Sequence, residues 1–395
     1  AASDVYKRQD VAMGNRYLYN QQYTENENAY NFGQTDVQSN SIIEGDLGND
    51  NVTWEKAKKF DIGLDFNAFD RLSFTIDFFY DKRYDQLVKR NDIPQILGVG
   101  TSPINVARTS NKGFDGQIGY QDRFGDFNFN TNFVFSYAKN KIEYNAEAQQ
   151  RYEWLSATGR PIGQPFGYTW IGYYTPEDVD LIHAGAANAP AIPNTDVPIQ
   201  AGDLKYKDLN GDGLINEYDM TYENGLNSTN PELVYGFGLN LEYKGFFAGI
   251  FFQGVGKTTV NLMSNSNYFM PFIRGVEGGS ARMEALSHWS ADNPYNQDVL
   301  YPRIHAAKFD HNIEKSTWWY RDGSFLRLKN VEFGYEFSKD MIKKMRMTNL
   351  RLYVQGTNLA VWDNIKLWDP ELGNSNSGAK YPLGATWTVG LEVSF

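Results

Sequence analysis

The stretch TWTVGLEVSF, residues 386–395, alternates without a fault. Thr386, Thr388, Gly390, Glu392 and Ser394 fall on one side, and Trp387, Val389, Leu391, Val393 and Phe395 on the other. A period of two is the signature of a β-strand with one polar and one apolar face. A strand of this kind on an open edge invites unwanted pairing in a soluble protein. In a transmembrane barrel the last strand closes against the first, and its apolar face meets lipid. The stretch therefore predicts a barrel strand. Its partner, the first strand of the barrel, is expected to lie outside this sequence, which leaves its outer edge unpaired.

Working backward, the same alternation recurs. Phe60, Ile62, Leu64 and Phe66 mark a strand near 57–69, and Leu72, Phe74, Ile76, Phe78 and Tyr80 mark the next, across a tight turn at Asp70-Arg71. Further strands are predicted at 111–121, from Phe127 to Tyr137, from Tyr235 to Tyr243, at 246–256, near 324–337 and at 349–358. Tyr17 and Tyr19 hint at one more near the start. A short helix is predicted within PEDVDLI (176–182), and a basic, helix-like link over 338–348. Short and long connections take turns along the whole series. Tight turns at one end and large loops at the other are the plan of bacterial outer-membrane barrels. Loops of this length are unusual in a compact soluble domain, and on such a barrel they carry function. A β-sandwich with alternating loop lengths is the competing fold.

Composition bounds the function. No apolar run approaches the ~18 residues of a membrane helix, and mean hydropathy is -0.54, which is compatible with strands that are apolar on one face only. The 26 Tyr, 26 Phe and 9 Trp suit aromatic girdles at membrane interfaces. The absence of cysteine excludes disulfide scaffolds, cysteine metal sites and thiol nucleophiles. A net charge of -11 argues against a nucleic-acid partner. His183, His288, His305 and His311 show no ligand spacing and read as loop residues. GVGKTTV (254–260) lacks the spacing of a phosphate loop, and no catalytic motif is present. The opening AASDVYKRQ (1–9) breaks the alternation and is expected to be a non-native end, with barrel sequence over 10–395.

The most specific local motif is DLNGDGLINEYD, residues 208–219. Asp208, Asn210 and Asp212 occupy positions 1, 3 and 5 of a calcium loop, Gly213 the turn, Leu214 the backbone-carbonyl position and Asp219 the closing position. Ca2+ is a hard cation that takes six to eight oxygens, so acidic and amide side chains alternating on a tight turn can wrap it. The alternative is a polar Asp-Gly turn that binds no ion. Among loop aromatics, Trp170, Tyr173, Trp318 and Trp319 are candidates for stacking on a sugar, with loop packing as the alternative role.

Several stretches together resemble the SusC/RagA family of TonB-linked (TonB-dependent) outer-membrane transporters of Bacteroidetes-type bacteria. They include NVTWEKAKKFDIGLDF (51–66), GDLKYKDLNGDGLINEYD (202–219), NPELVYGFGLNLEYKGFFAGIFFQGV (230–255), HWSADNPYNQDVLYPR (288–303), RDGSFLRLKNVEFGYEF (321–337), LRLYVQGTNLAVW (350–362) and WDPELG (368–373). The resemblance implies a 22-stranded barrel, of which this chain would supply about nine or ten strands of the C-terminal half. Plug, TonB box and N-terminal domain would lie outside the sequence. It also implies uptake of glycans or peptides beneath a SusD-like surface lipoprotein, energised through TonB with ExbB and ExbD, without covalent chemistry. A passive porin or adhesin barrel, or a secreted calcium-stabilised carbohydrate-binding sandwich, are the rival functions.

Overall fold

The computed structural model describes residues 7–8, 17–32, 37–265, 269–272, 281–305, 309–343 and 346–395. A ten-stranded antiparallel sheet dominates it, and hydrogen-bonded order follows chain order. Its strands are β1 (Lys7–Arg8), β2 (Glu55–Ala68), β3 (Leu72–Val88), β4 (Ile104–Phe124), β5 (Phe127–Tyr144), β6 (Leu233–Tyr243), β7 (Phe246–Gly256), β8 (Phe325–Glu336), β9 (Asn349–Asp363) and β10 (Thr386–Ser394). The links 69–71, 125–126, 244–245 and 337–348 alternate with the long connections 89–103, 145–232, 257–324 and 364–385. In a meander this places every short link at one end of the strands and every long loop at the other. Among the described residues β10 pairs with β9 alone and forms one end of the order.

Register turns the alternation of single strands into rows. Val389 faces Val354, which faces Phe333, then Ala248, Leu241 and Phe129. The next row on the same face runs Leu391, Leu352, Tyr335, Phe246, Tyr243 and Phe127. The opposite face carries Thr388, Gln355, Glu332, Gly249, Asn240 and Asn130. A slip of one residue would exchange the two faces; over these rows the six strands share one register of apolar against polar, and the register shifts only farther along, between Phe251 and Phe252 and between Leu328 and Asn330. The apolar rows are open: Val389 is 72% exposed, Leu391 65% and Phe333 56%. On the other face the Tyr353 ring covers Gly390, where a Cβ would sit 2.2 Å from Cζ. The glycine leaves room for the ring to lie flat on the neighbouring strand.

Two compact units partition the chain. The first holds residues 1–63, 77–114 and 138–162. It contains β1, paired through Lys7 with Lys56 and Arg8 with Glu55, and ion pairs Lys56–Asp85 at 2.7 Å and Lys82–Glu143 at 3.0 Å. It also contains an unforeseen hairpin, Tyr23–Phe32 with Val37–Glu44. The additional strand expected near the start is β1 at Lys7–Arg8, whereas Tyr17 and Tyr19, which hinted at it, lie in a turn. Tyr17 has φ 66°, outside the extended region, and its carbonyl accepts from Asn20 N at 2.9 Å. Of the segment 1–9, only Lys7 and Arg8 are among the described residues.

The second unit holds 64–76, 115–137 and 163–395, and so contains the apolar rows and most of the long loops. Here the loops fold on themselves around Leu204, Leu262, Tyr173, Trp319 and Tyr301, each at most 1% exposed. The helix Pro176–His183 (α1) forms where PEDVDLI predicts it. Thr175 Oγ1 accepts from Asp178 N at 3.2 Å and Asp178 Oδ2 accepts from Thr175 N at 3.0 Å, a reciprocal cap. A second short helix, Lys339–Lys343, lies in the basic link.

Candidate functional site

The calcium-type loop is built by its own polar side chains. Asp208 Oδ1 accepts from Gly211 N at 2.6 Å and Oδ2 from Gly213 N at 2.8 Å. Asn210 Oδ1 accepts from Asp212 N, and Asp212 Oδ1 from Leu214 N, both at 2.9 Å. Gly211 and Gly213 have φ of 75° and 82°, a conformation that glycine adopts without steric cost. Asp219, fully buried, closes the loop: Oδ1 accepts from Leu209 N at 2.8 Å and Oδ2 from Asn216 N at 2.9 Å. Burial, and then the nearby Asp208 charge, raise the Asp219 carboxyl above the usual range.

These residues offer only oxygen donors, which fits a hard cation. Among the described residues no Lys or Arg pairs with Asp208, Asp212 or Asp219, so the loop's negative charge has no internal counter-ion. Nor do three Asp, Glu, His or Cys side chains gather as a metal cluster among the described residues. Any ion here would depend on the Asn210 amide and the Leu214 carbonyl as well as carboxylates.

The loop is anchored to an aromatic layer. Residues Trp170–Tyr173 pair with Leu204–Tyr206, and Gly167–Tyr168 with Met220–Thr221. Tyr168 stacks on Tyr206 with ring centroids 4.8 Å apart. Burial, followed by the charges of Glu314, Asp219 and Glu217, pushes the Tyr168 hydroxyl up to about 12. The four sequence candidates for sugar stacking lie in this layer. Tyr173, Trp318 and Trp319 are interior, and Trp170 is half-buried. Trp170 and Trp318 are 4.5 Å apart and Tyr173 lies 5.4 Å from Trp318, while the Trp319 indole N–H donates to Asn312 O at 3.0 Å. The four rings pack against one another, mostly edge to face. Stacking on a ligand would require the half-buried Trp170.

Sequence reading missed two buried polar centres, one in this layer and one on β8. Asp203, fully buried, accepts from Asn312 Nδ2 at 2.8 Å and Gln200 N at 2.8 Å, and contacts His305 Nε2 at 2.6 Å. Arg327, 2% exposed, donates to Asp369 Oδ1 at 2.6 Å and ties WDPELG to β8. Neither pair has a local spacing to betray it, because the partners are far apart in sequence.

An antiparallel meander with open apolar rows, short links at one end and folded loops at the other is the architecture of an outer-membrane β-barrel wall. A family profile described as "TonB dependent receptor-like, beta-barrel" matches residues 14–359, and the chain belongs to that family. It is 29% identical over 391 residues to TonB-dependent receptor P3 of Formosa agariphila, covering 91% of this chain and 36% of that receptor. It is 25% identical over 409 residues to TonB-dependent receptor SusC of Bacteroides thetaiotaomicron, covering 98% of this chain and 36% of SusC. The chain thus spans about a third of the length of the curated relatives it matches. The fold is similar to that in the RagAB peptide importer in its open-open state, with a TM-score of 0.67 at 21% identity over 96% of this chain and 38% of that one. A second RagAB peptide transporter structure gives 0.69 at 20% identity, over 96% and 38%. The chain is accordingly an outer-membrane β-barrel chain of the TonB-dependent receptor type, similar to SusC, and the curated relatives it matches are TonB-dependent receptors.

Proposed function

We propose that this chain is the wall and loop layer of a TonB-dependent transporter that imports oligosaccharides or peptides. The observation that supports this reading is the conjunction of lipid-facing rows on β5–β10 with a loop layer that has a hydrophobic core of its own. A passive pore needs the rows; a structured layer over one end suits capture of cargo. The whole protein would work with a SusD-like surface lipoprotein over the loops and with TonB, ExbB and ExbD from the periplasm. The net charge of -11 supports a role without nucleic acid. Uptake of labelled maltoheptaose and of a labelled peptide mixture, in cells with and without TonB, tests the proposal. Loss of uptake without TonB is expected. Uptake that persists without TonB would establish the passive-pore reading instead.

The same proposal assigns the 208–219 loop a structural Ca2+, held by Asp208, Asn210, Asp212, the Leu214 carbonyl and Asp219. The ion would supply the counter-charge that the loop lacks and fix its anchor to the aromatic layer. Calorimetric titration of the full-length protein with Ca2+, before and after Asp208→Ala with Asp212→Ala, decides it. Equal Ca2+ uptake by both proteins would sink the assignment.

A further inference from the structure

One cluster in the loop layer holds more hydrogen-bond donors than acceptors. The indole Nε1 atoms of Trp170 and Trp318 and the hydroxyl of Tyr173 are buried, and none has a partner among the described residues. The three rings form one group, with Trp170 and Tyr173 6.0 Å apart and Trp318 4.5 and 5.4 Å from them. Arg321 lies over the Trp318 ring at 5.5 Å. It donates to the carbonyls of Trp318 and Tyr320, and among the described residues no carboxylate pairs with it. That is notable in a chain with 48 acidic and 37 basic residues, where partners are plentiful. Arg321 and the Tyr173 phenol are near enough to act on each other: burial raises the phenol and lowers the guanidinium, and each then opposes the shift of the other.

Buried donors without partners forfeit their hydration, and a desolvated cation without a counter-ion forfeits more. A single water accepts too few hydrogen bonds to serve all four groups, whereas a carboxylate offers about four lone-pair sites and a negative charge. Planar guanidinium and carboxylate also match in shape. Trp170 and Arg321 are only partly buried, so the cluster has a solvent-facing side.

We propose that Trp170, Tyr173, Trp318 and Arg321 form a carboxylate-recognition subsite that takes the acidic group of a cargo molecule. Arg321 supplies the charge, and the phenol and the two indoles supply directed hydrogen bonds. That the bound molecule is cargo rests on the transporter reading; that the cluster binds a carboxylate does not.

The test is calorimetric and tryptophan-fluorescence titration of the full-length protein in detergent, which is independent of energised uptake. The probes are trigalacturonate and triglutamate, each against a neutral counterpart, galactotriose and triglutamine. At least one acid is expected to bind more tightly than its neutral counterpart. Tyr173→Phe, which keeps the ring, and Arg321→Gln are each expected to weaken that acid about 10-fold or more and leave the neutral probe unchanged. Preference for trigalacturonate identifies a uronate, and preference for triglutamate an acidic peptide. Equal binding of acid and neutral probes overturns the proposal. So does wild-type acid binding by Tyr173→Phe with loop hydrogen exchange intact, the result expected if a buried water were the sole partner. Failure of TonB-dependent uptake with acid binding intact would overturn the transport reading and leave the subsite standing.

Discussion

The wall and the loop layer of this chain use the same residue types in opposite ways. On β10 the side chains of Trp387, Val389 and Leu391 are 64%, 72% and 65% exposed. In the loops Trp319, Leu204 and Tyr301 are at 0%. The difference is one of solvent. The wall's apolar face is satisfied by lipid and needs no partner within the protein, whereas the loops stand in water and must build a core. Hydrophobicity alone does not tell the two apart; periodicity does. The wall alternates at period two, while the loop aromatics follow no period because short bridges and turns bring them together.

The comparison breaks first if the loop layer is not a true core. Trp319→Ala removes the largest fully buried side chain among the described residues and is expected to cost about 3–5 kcal/mol of loop stability. Hydrogen exchange should rise at Leu204, Tyr301 and Asn312 while amides of β6 and β7 keep their protection. Unchanged exchange at Leu204 would show that the layer does not depend on this ring. The wall has its own test. Val389→Arg on the apolar face is expected to cost about 2–4 kcal/mol if it lies near the bilayer midplane, and Thr388→Arg on the other face much less. Denaturant titration of the full-length protein refolded into vesicles would measure both, and equal costs would contradict the assignment of faces. A smaller effect is expected at α1, where Thr175→Ala removes one half of the reciprocal cap at about 1 kcal/mol. Faster exchange confined to 176–183 is the expected signature.

How much of this could be read from sequence follows the same division. The strands from Phe127 to Tyr137 and at 246–256 were legible because lipid on one face and polar side chains on the other enforce alternation. β4 was legible only from 111 onward: its first part, INVARTS (104–110), mixes polar and apolar residues without a clean period. The hairpin at Tyr23–Glu44 was missed because YTENENAYNF is polar on both faces. In the loops, α1 was legible through its cap and 208–219 through its spacing. For Trp318 and Trp319 the sequence left stacking on a sugar and loop packing both open, since their burial depends on Leu204, Asn312 and Tyr173 arriving from distant segments. Arg321 gave no signal, because Asp322 follows it in the sequence and only the fold shows that, among the described residues, no carboxylate pairs with it.

The mildest way to separate the two regions is pH alone. All four histidines lie outside the long strands, so above the carboxylate range no imidazole titrates in the wall. His311 is in the loop core, with Nε2 2.6 Å from Leu204 O. Burial lowers its pKa below the usual 6.5; the Leu204 carbonyl and the Asp203 charge oppose that shift and the His305 charge adds to it. Where the layer opens, His311 regains its ordinary affinity for protons. Between the two values the open state binds more protons than the closed one, so stability rises with pH. The His311 contribution is complete above about pH 6.5 and declines as pH falls from there toward the lowered folded value. Loop amides near Leu204 are therefore expected to exchange faster, after correction for intrinsic rates, at pH 5.5 than at pH 7.5, while β6 amides do not. His311→Gln, which cannot ionise, is expected to flatten that difference. A loop layer that loosens equally in the variant would place the pH sensitivity elsewhere, and one that tightens with acid would reverse the sign of the argument.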